Sequence, residues 1–388
     1  MKRHFLEMIT KKTKEHTPMI QHPLSGSCLT NLLELLLQNG RIEKKYILKV
    51  LSVSVFSFFS IPLRLFETVK FGKKIENTQL TSPPIFIIGH WRSGTTYFHR
   101  LMTQDKNLGY ISSFQAFLPK SSLGIHEILE SQLKKIWPEV RMMDNVTYSP
   151  DVPEEEEYAL GNLLTLSFYH CWYFPKNMKK CFKQSVLLDG ISESQRNKWK
   201  DAYIRILRKA SFIWGGKRLV VKNPANTARI SVLLEMFPDA KFIHIYRNPY
   251  DVYASTKNFY EKLLPRYKFQ DVTDEEIKKN IFIFYRELMQ RFFDSMSAIP
   301  PENFVEIKFE DFEVNEIEEL RRIYRQLNLP GFEEAEENFR RYIDSHSSYK
   351  KNEYVLDENT RREIELHWKF AIDRWQSLVN RVNIQLPT

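Results

Sequence analysis

The thirteen residues from Pro84 to Thr96, Pro-Ile-Phe-Ile-Ile-Gly-His-Trp-Arg-Ser-Gly-Thr-Thr, constrain this chain more than any other stretch. Four apolar residues, Ile85 to Ile88, run into a turn with glycines at 89 and 94, and Thr95-Thr96 opens a helix-compatible segment. A short apolar run bounded by glycine reads as a buried strand. The spacing Gly-x-x-x-x-Gly-Thr-Thr is that of a phosphate-cradling loop, in which backbone N–H groups and a helix N-terminus surround an anion. Thr95 stands where a nucleoside-triphosphate enzyme carries the Lys that meets the β- and γ-phosphates. The loop therefore suits a nucleotide 5′-phosphate whose next group is not a second phosphate. Arg92 supplies a cation from a different angle.

The same grammar recurs downstream. Lys241-Phe-Ile-His-Ile-Tyr246 reads as a second buried strand, and Arg247 stands at its carboxyl end. Asp251 is the expected N-cap of a helix beginning at Val252, which carries Ser255. Ligands of open α/β sheets gather outside the carboxyl ends of the strands. An ATPase would place a Mg²⁺-binding Asp after this run. Arg247 there favours direct phosphate binding instead.

These residues carry a family resemblance. Arg92-Ser93-Gly94-Thr95-Thr96 resembles the 5′-phosphosulfate loop of sulfotransferases, where Lys often fills the position of Arg92. Arg247 followed by Ser255 resembles their 3′-phosphate element. Lys222-Asn223-Pro224, Phe237-Pro238-Asp239-Ala240 and Phe309-Glu310-Asp311-Phe312 resemble further landmarks of the bacterial-type branch. The likeness runs from about residue 83 to 375. It implies a three-layer αβα fold with a small central parallel sheet, like that of P-loop NTPases but rich in helix. The implied donor is 3′-phosphoadenosine 5′-phosphosulfate, whose sulfonate passes to an acceptor hydroxyl. A sulfonate carries less negative charge than a terminal phosphate, so Arg and Lys can suffice and no metal is expected.

The resemblance also implies roles. The backbone from Ser93 through Gly94 to Tyr97 and the hydroxyls of Thr95 and Thr96 are expected to hold the 5′-phosphate. Arg92 is expected to clamp the bridging or sulfonate oxygens; a guanidinium does not deprotonate, so it acts as a fixed charge. Lys222 adds a second charge or serves as general acid. Arg247 and Ser255 are expected to hold the 3′-phosphate. Lys350 and Lys351 either close over the donor or form a charged turn. The acceptor needs a base, and Glu154 to Glu157 cover more than one helical turn, so one of them should face inward. Glu155 or Glu156 is favoured; the plain alternative is a solvated acidic first turn drawn by the helix dipole. His90 is a rival base. Some relatives place His where this chain has Asn226, which cannot abstract a proton. Two other functions compete: a P-loop kinase for a small molecule, and a non-catalytic adenosine-bisphosphate-binding protein.

With 388 residues the chain can bury a large core. The expected organisation is a helical extension over 1–80 and one α/β domain over 81–388. Its 57 Lys+Arg against 48 Asp+Glu leave +9, enough to line a basic cleft, while no basic helix, zinc pattern or RNA-recognition signature points to nucleic acid. Cys28, Cys171 and Cys181 are too few and scattered for a disulfide framework, and the basic N-terminus lacks a signal-type apolar core, which together predict a cytoplasmic protein. Val50 to Leu63 is uncharged but short of the roughly 20 residues that span a bilayer. It is expected to be a buried or cleft-covering helix, with peripheral membrane contact as the alternative. That stretch and the 28 Phe and 18 Tyr point to a hydrophobic or lipid-like alcohol as acceptor. Local signals predict helix starts at Ser192 and Thr273 by capping box, at Pro153, and at Asn226 or Thr227. The alternation of Phe304–Phe309 predicts an edge strand, and Trp368 and Trp375 are late core anchors.

Overall fold

A computed structural model describes residues 22–125, 149–346 and 354–384, with side chains described to residue 375. Lys350 and Lys351 lie outside the described residues. Three helices come first, α1 (Leu29–Gln38), α2 (Ile47–Phe59) and α3 (Ile61–Asn77), before strand β1 (Ile85–Ile88) and helix α4 (Thr95–Met102). The short strand β2 (Leu108–Gly109) and helices α5 (Ser113–Phe117), α6 (Glu156–Leu163), α7 (His170–Tyr173), α8 (Met178–Ser185) and α9 (Glu193–Ile213) follow. Then β3 (Arg218–Lys222), α10 (Ile230–Met236), β4 (Lys241–Tyr246), α11 (Pro249–Tyr267) and α12 (Asp274–Ser295) lead to β5 (Phe304–Lys308). Helices α13 (Phe309–Val314), α14 (Glu316–Gln326), α15 (Phe332–His346) and α16 (Glu358–Ile384) complete the described chain.

The strands form one parallel sheet in the order β2-β3-β1-β4-β5. Strand β1 lies at its centre, paired with β3 through Ile85 and Val220 and with β4 through Ile85 and Lys241. Parallel strands need crossovers, and the helices that supply them cover both faces. Successive side chains of a strand point to opposite faces. Accordingly Phe86 and Ile88 enter one core with Trp199, Tyr203, Phe284 and Trp368, while Ile85 and Ile87 enter another with Phe98, Leu101, Ile323 and Phe339. The expected three-layer αβα architecture is the one observed. Strand β5 alternates between buried and half-buried residues, as an edge strand should.

The capping boxes at Ser192 with Gln195 and Thr273 with Glu276 form as predicted. Three other helix starts differ. Asn248, not Asp251, caps α11 by accepting from the Tyr250 N–H, because Pro249 takes the first helical position. Pro153 sits in an isolated bridge to Ser112, and the helix begins only at Glu156. Asn223 caps a 3₁₀ turn over Pro224–Ala228, so α10 starts later, at Ile230.

The apolar stretch from Val50 is not a single buried helix. It breaks at Ser60 into α2 and α3, and Val53, Phe56 and Ser57 face inward while Leu51, Val55, Phe58 and Phe59 stay exposed. Arg64 ties α3 down by donating to the carbonyls of Ser27 (2.7 Å) and Ser57 (2.8 Å). Glu67 pairs with the buried Lys209 of α9 at 2.5 Å. Leu24, Leu32, Leu35 and Val53 join the larger core, so this helical segment packs as part of the body.

Gly89 is where the central strand leaves the sheet, at φ 143°, and a Cβ there would lie 2.2 Å from the Ile245 carbonyl oxygen. Gly89→Ala should therefore destabilise the protein by about 1–3 kcal/mol through the backbone conformation alone. An unshifted urea midpoint would refute this reading.

Candidate active site

The turn after β1 is built from backbone shapes that side chains resist. Gly94 adopts φ 91°, and a Cβ on it would meet the Phe309 ring at 2.1 Å. Arg92, which is not glycine, also adopts a positive φ of 73°, a conformation uncommon enough to mark a site. Thr227 holds the start of the turn: its hydroxyl accepts from the Gly89 N–H (2.7 Å) and donates to the Gly89 carbonyl (3.1 Å). Helix α4 follows, and the first N–H groups of a helix have no intrahelical acceptor. The loop thus presents a concave backbone and a positive helix end to one point in space.

The strand ends bring the expected cations to this loop. Arg92 donates through Nε to Ser255 Oγ at 3.0 Å and lies over the Phe259 ring. Arg247 donates to the Arg92 carbonyl at 3.4 Å, and its guanidinium lies over Phe309. Its Nε is buried without a hydrogen-bond partner among the described residues. The two elements expected to bind anions therefore adjoin, joined through Arg92 and Ser255. The Phe309-Glu310-Asp311-Phe312 landmark gains a physical meaning here. Phe309 packs under both Gly94 and Arg247, Glu310 accepts from the Asn248 N–H at 2.9 Å, and Phe312 fills the core.

Lys222 ends β3 beside the central strand and is 1% exposed. Its Nζ donates to Thr96 Oγ1 at 3.2 Å and, by a short contact, to Glu155 Oε1. The other Glu155 oxygen accepts from the Tyr169 hydroxyl. Burial pushes the Glu155 carboxyl up to about 7, against the opposing pull of Lys222. A carboxyl with its pKa near neutrality suits proton transfer at neutral pH.

The rest of the acidic run is buried as well, which overturns the solvated first turn as its explanation. Glu154, Glu155, Glu156 and Glu157 are all at most 7% exposed. Glu156 Oε1 accepts from Tyr203 (2.8 Å), Asn223 (3.1 Å) and Asn226 (2.7 Å). Burial raises its pKa, and its second oxygen has no partner among the described residues. Burial acts the same way on Glu157, but Arg229 and further hydrogen bonds outweigh it and hold that carboxyl low. Arg229 meets Glu157 with both terminal nitrogens, at 2.7 and 3.1 Å. Of the two favoured carboxylates, Glu155 touches Lys222 while Glu156 is sealed among amides and a phenol. Asn226 has a structural task, donating to Glu156. His90 contacts Tyr285 and shares a hydrogen bond of 2.7 Å with the Trp91 carbonyl, and burial lowers its pKa to about 4. Trp91 packs on Phe168.

Sequence reasoning missed Tyr169, Thr227 as a loop clamp, and the Glu157–Arg229 pair. No local pattern signals them, since their partners lie 14, 138 and 72 positions away.

Comparison with known proteins identifies the class. The sulfotransferase family pattern matches residues 83–334, and the chain belongs to that family. It is 31% identical over 313 residues to the omega-hydroxy-beta-dihydromenaquinone-9 sulfotransferase Stf3 of Mycobacterium bovis, and equally to that of Mycobacterium tuberculosis, covering 81% of this chain and 80% of theirs. Among solved structures, the fold is similar to sulfotransferase STF9 of Mycobacterium avium (TM-score 0.64, 16% identity, 94% of this chain and 98% of that one). Sulfotransferase STF1 of Mycobacterium tuberculosis is similar too, with a TM-score of 0.60, 16% identity, and coverage of 93% and 96%. The protein is a sulfotransferase, which sets aside the kinase alternative.

The Glu157–Arg229 pair is buried at 1% and 0% side-chain exposure. Arg229→Met strands a carboxylate in the core and should cost about 3–5 kcal/mol in urea unfolding. Adding Glu157→Gln should recover part of that loss. A single variant as stable as the parent would show the pair to be dispensable.

Proposed function

We propose that this chain transfers the sulfonate of 3′-phosphoadenosine 5′-phosphosulfate to the hydroxyl of a hydrophobic, lipid-like alcohol by in-line displacement, in the cytoplasm. The observation that carries the reading is the meeting of Thr96, Lys222 and Glu155 at the carboxyl ends of β1 and β3. The loop fits such a donor on structural grounds. Its glycines let the backbone pass where a Cβ would collide with the Ile245 carbonyl or the Phe309 ring, and Arg247 keeps a buried Nε without a hydrogen-bond partner among the described residues.

When bound, the donor supplies an activated sulfur whose bridging oxygen leaves as part of a phosphate. In this reading the backbone from Ser93 to Tyr97, with the Thr95 and Thr96 hydroxyls, binds the 5′-phosphate. Arg247 and Ser255 bind the 3′-phosphate. Arg92, linked to Ser255, sets the distance between the two anion sites and adds charge. Glu155 takes the proton of the acceptor hydroxyl at Oε1 or Oε2 as the new S–O bond forms. Lys222 loses its Glu155 partner's charge at that moment and is left to face the charge building on the transferring group. Fixed charges in a site shielded from water act strongly and need no reorganisation. No metal is invoked, because Lys222, Arg92 and Arg247 supply the positive charge.

The hydrophobic acceptor is supported by the name of the Stf3 relative, which specifies a hydroxylated menaquinone derivative. Aromatic side chains also stand beside the loop, where His90, Trp91, Phe168, Trp172, Phe259 and Tyr260 line a small pocket. The cytoplasmic setting is supported by three free cysteines, of which Cys171 is buried.

Two measurements test the assignment. Glu155 must be ionised to accept a proton, and its folded pKa is raised, so kcat should climb as pH rises through about 7 and level off above it. Glu155→Gln should remove that limb and lower kcat on the order of 10²–10⁴-fold. A parent profile flat from pH 6 to 8, taken as about one unit either side of that value, would remove Glu155 as the base. Arg247→Ala should weaken adenosine 3′,5′-bisphosphate binding by roughly 1.5–3 kcal/mol, the worth of a hydrogen bond to a charged group. Unchanged affinity by calorimetry would take Arg247 out of the site.

A further inference from the structure

The outer face of the N-terminal helices is unlike the rest of the surface. Leu48, Leu51, Val55 and Phe58 recur on one side of α2 at 38–69% exposure, and Leu65 and Val69 continue the face along α3 at 61% and 87%. Leu33 and Leu37 of the neighbouring α1 are exposed as well. Elsewhere among the described residues, large exposed apolar side chains (Ile213, Val314, Val355, Leu366) stand scattered. Single exposed apolar residues are ordinary, whereas a contiguous patch marks a binding surface.

Charge says what covers it. From Lys44 to Ile75 the only acidic residue is Glu67, and it is turned inward to Lys209. Lys44 and Lys45 stand exposed at one end of the apolar face, and Lys70, Lys73 and Lys74 at the other. An apolar stripe flanked mainly by lysines, with Glu34 and Glu76 as exposed carboxylates at its margins, complements a bilayer carrying anionic headgroups: the leucines and phenylalanines enter the acyl boundary and the lysines stay among the phosphates. The run Lys44–Asn77 is apolar enough in composition to cross a membrane. Its connections argue for lying flat instead. It bends at Ser60, and Arg64 and Glu67 fasten its inner face to the body.

We propose that the α2–α3 face is an interfacial membrane anchor that seats the enzyme on an anionic bilayer. The proposal deepens the hydrophobic-acceptor reading and rests on it for its purpose, which is to draw the acceptor from the lipid phase. Its test does not depend on turnover. The full chain should co-sediment with mixed phosphatidylcholine–phosphatidylglycerol vesicles, more weakly with phosphatidylcholine alone, and less as salt rises. The double variant Leu51→Glu/Phe58→Glu, at positions already in water, should lose vesicle affinity at least about tenfold. It should keep its circular dichroism, its melting midpoint and its turnover of a water-soluble alcohol. Lys73→Glu/Lys74→Glu should weaken binding to the anionic vesicles selectively. A parent chain that ignores both vesicle types, or an apolar-face variant that binds as well as the parent, overturns the proposal. So does a concentration-dependent dimer dissolved by the same variant without vesicle binding, which would give the face to a second copy of the chain. Vesicle binding by a chain that sulfonates no hydroxyl would uphold the anchor and sink the proposed reaction.

Discussion

Four consecutive carboxylates, Glu154 to Glu157, lie buried under the carboxyl edge of the sheet, and much of the surrounding structure exists to make that tolerable. An unpaired charge in a protein interior costs several kcal/mol, so each such group must be neutralised, hydrogen-bonded or protonated. The solutions differ along the run. Glu157 receives a guanidinium and stays ionised; Glu156 receives two amides and a phenol; Glu155 receives Lys222 and Tyr169 and rests near neutrality. Their partners come from the residue preceding α7, from α9, from the end of β3 and from the turn over residues 223–229. The acidic cluster thus ties the helical side to the sheet and leaves one carboxyl able to exchange a proton.

The phosphate-type loop obeys a complementary constraint. It passes tightly between β4 and Phe309, and only glycine, lacking a Cβ, fits at 89 and 94. Arg92 accepts an unfavourable backbone angle in that turn, and its side chain ends on Ser255. Strain at such a position is compatible with folding because the flanking strand is fully buried and most of the following helix is buried too. Where a triphosphate enzyme relies on a loop lysine, this chain brings Lys222 in from a neighbouring strand, so the cation approaches Thr96 from the side rather than from within the loop.

The N-terminal helices show how one sequence signal can carry two meanings. An uncharged run from Val50 to Leu63 is equally consistent with a core helix and a surface one, because periodicity alone does not reveal which neighbours arrive. The inward positions Val53 and Phe56 are buried against the body, whereas Leu51, Val55 and Phe58 remain exposed. A helix apolar on nearly all sides can satisfy a protein core and a lipid surface at once.

By itself the sequence determined the parallel sheet, the strand–loop–helix unit around Gly94, the second cation at Arg247, the capping boxes at Ser192 and Thr273, and the edge character of β5. Each of these is written in contiguous residues, through alternation, glycine placement or a side chain reaching its own backbone. Tertiary structure alone decided that the acidic run is buried rather than solvated, that Glu155 and not Glu156 faces Lys222, that Tyr169 and Thr227 belong to the site, and that Asn248 displaces Asp251 as a cap. Those outcomes depend on partners tens to more than a hundred residues away, or on competition between neighbouring residues for one backbone position, and a side chain's charge and reach are fixed only once packing has chosen what stands beside it.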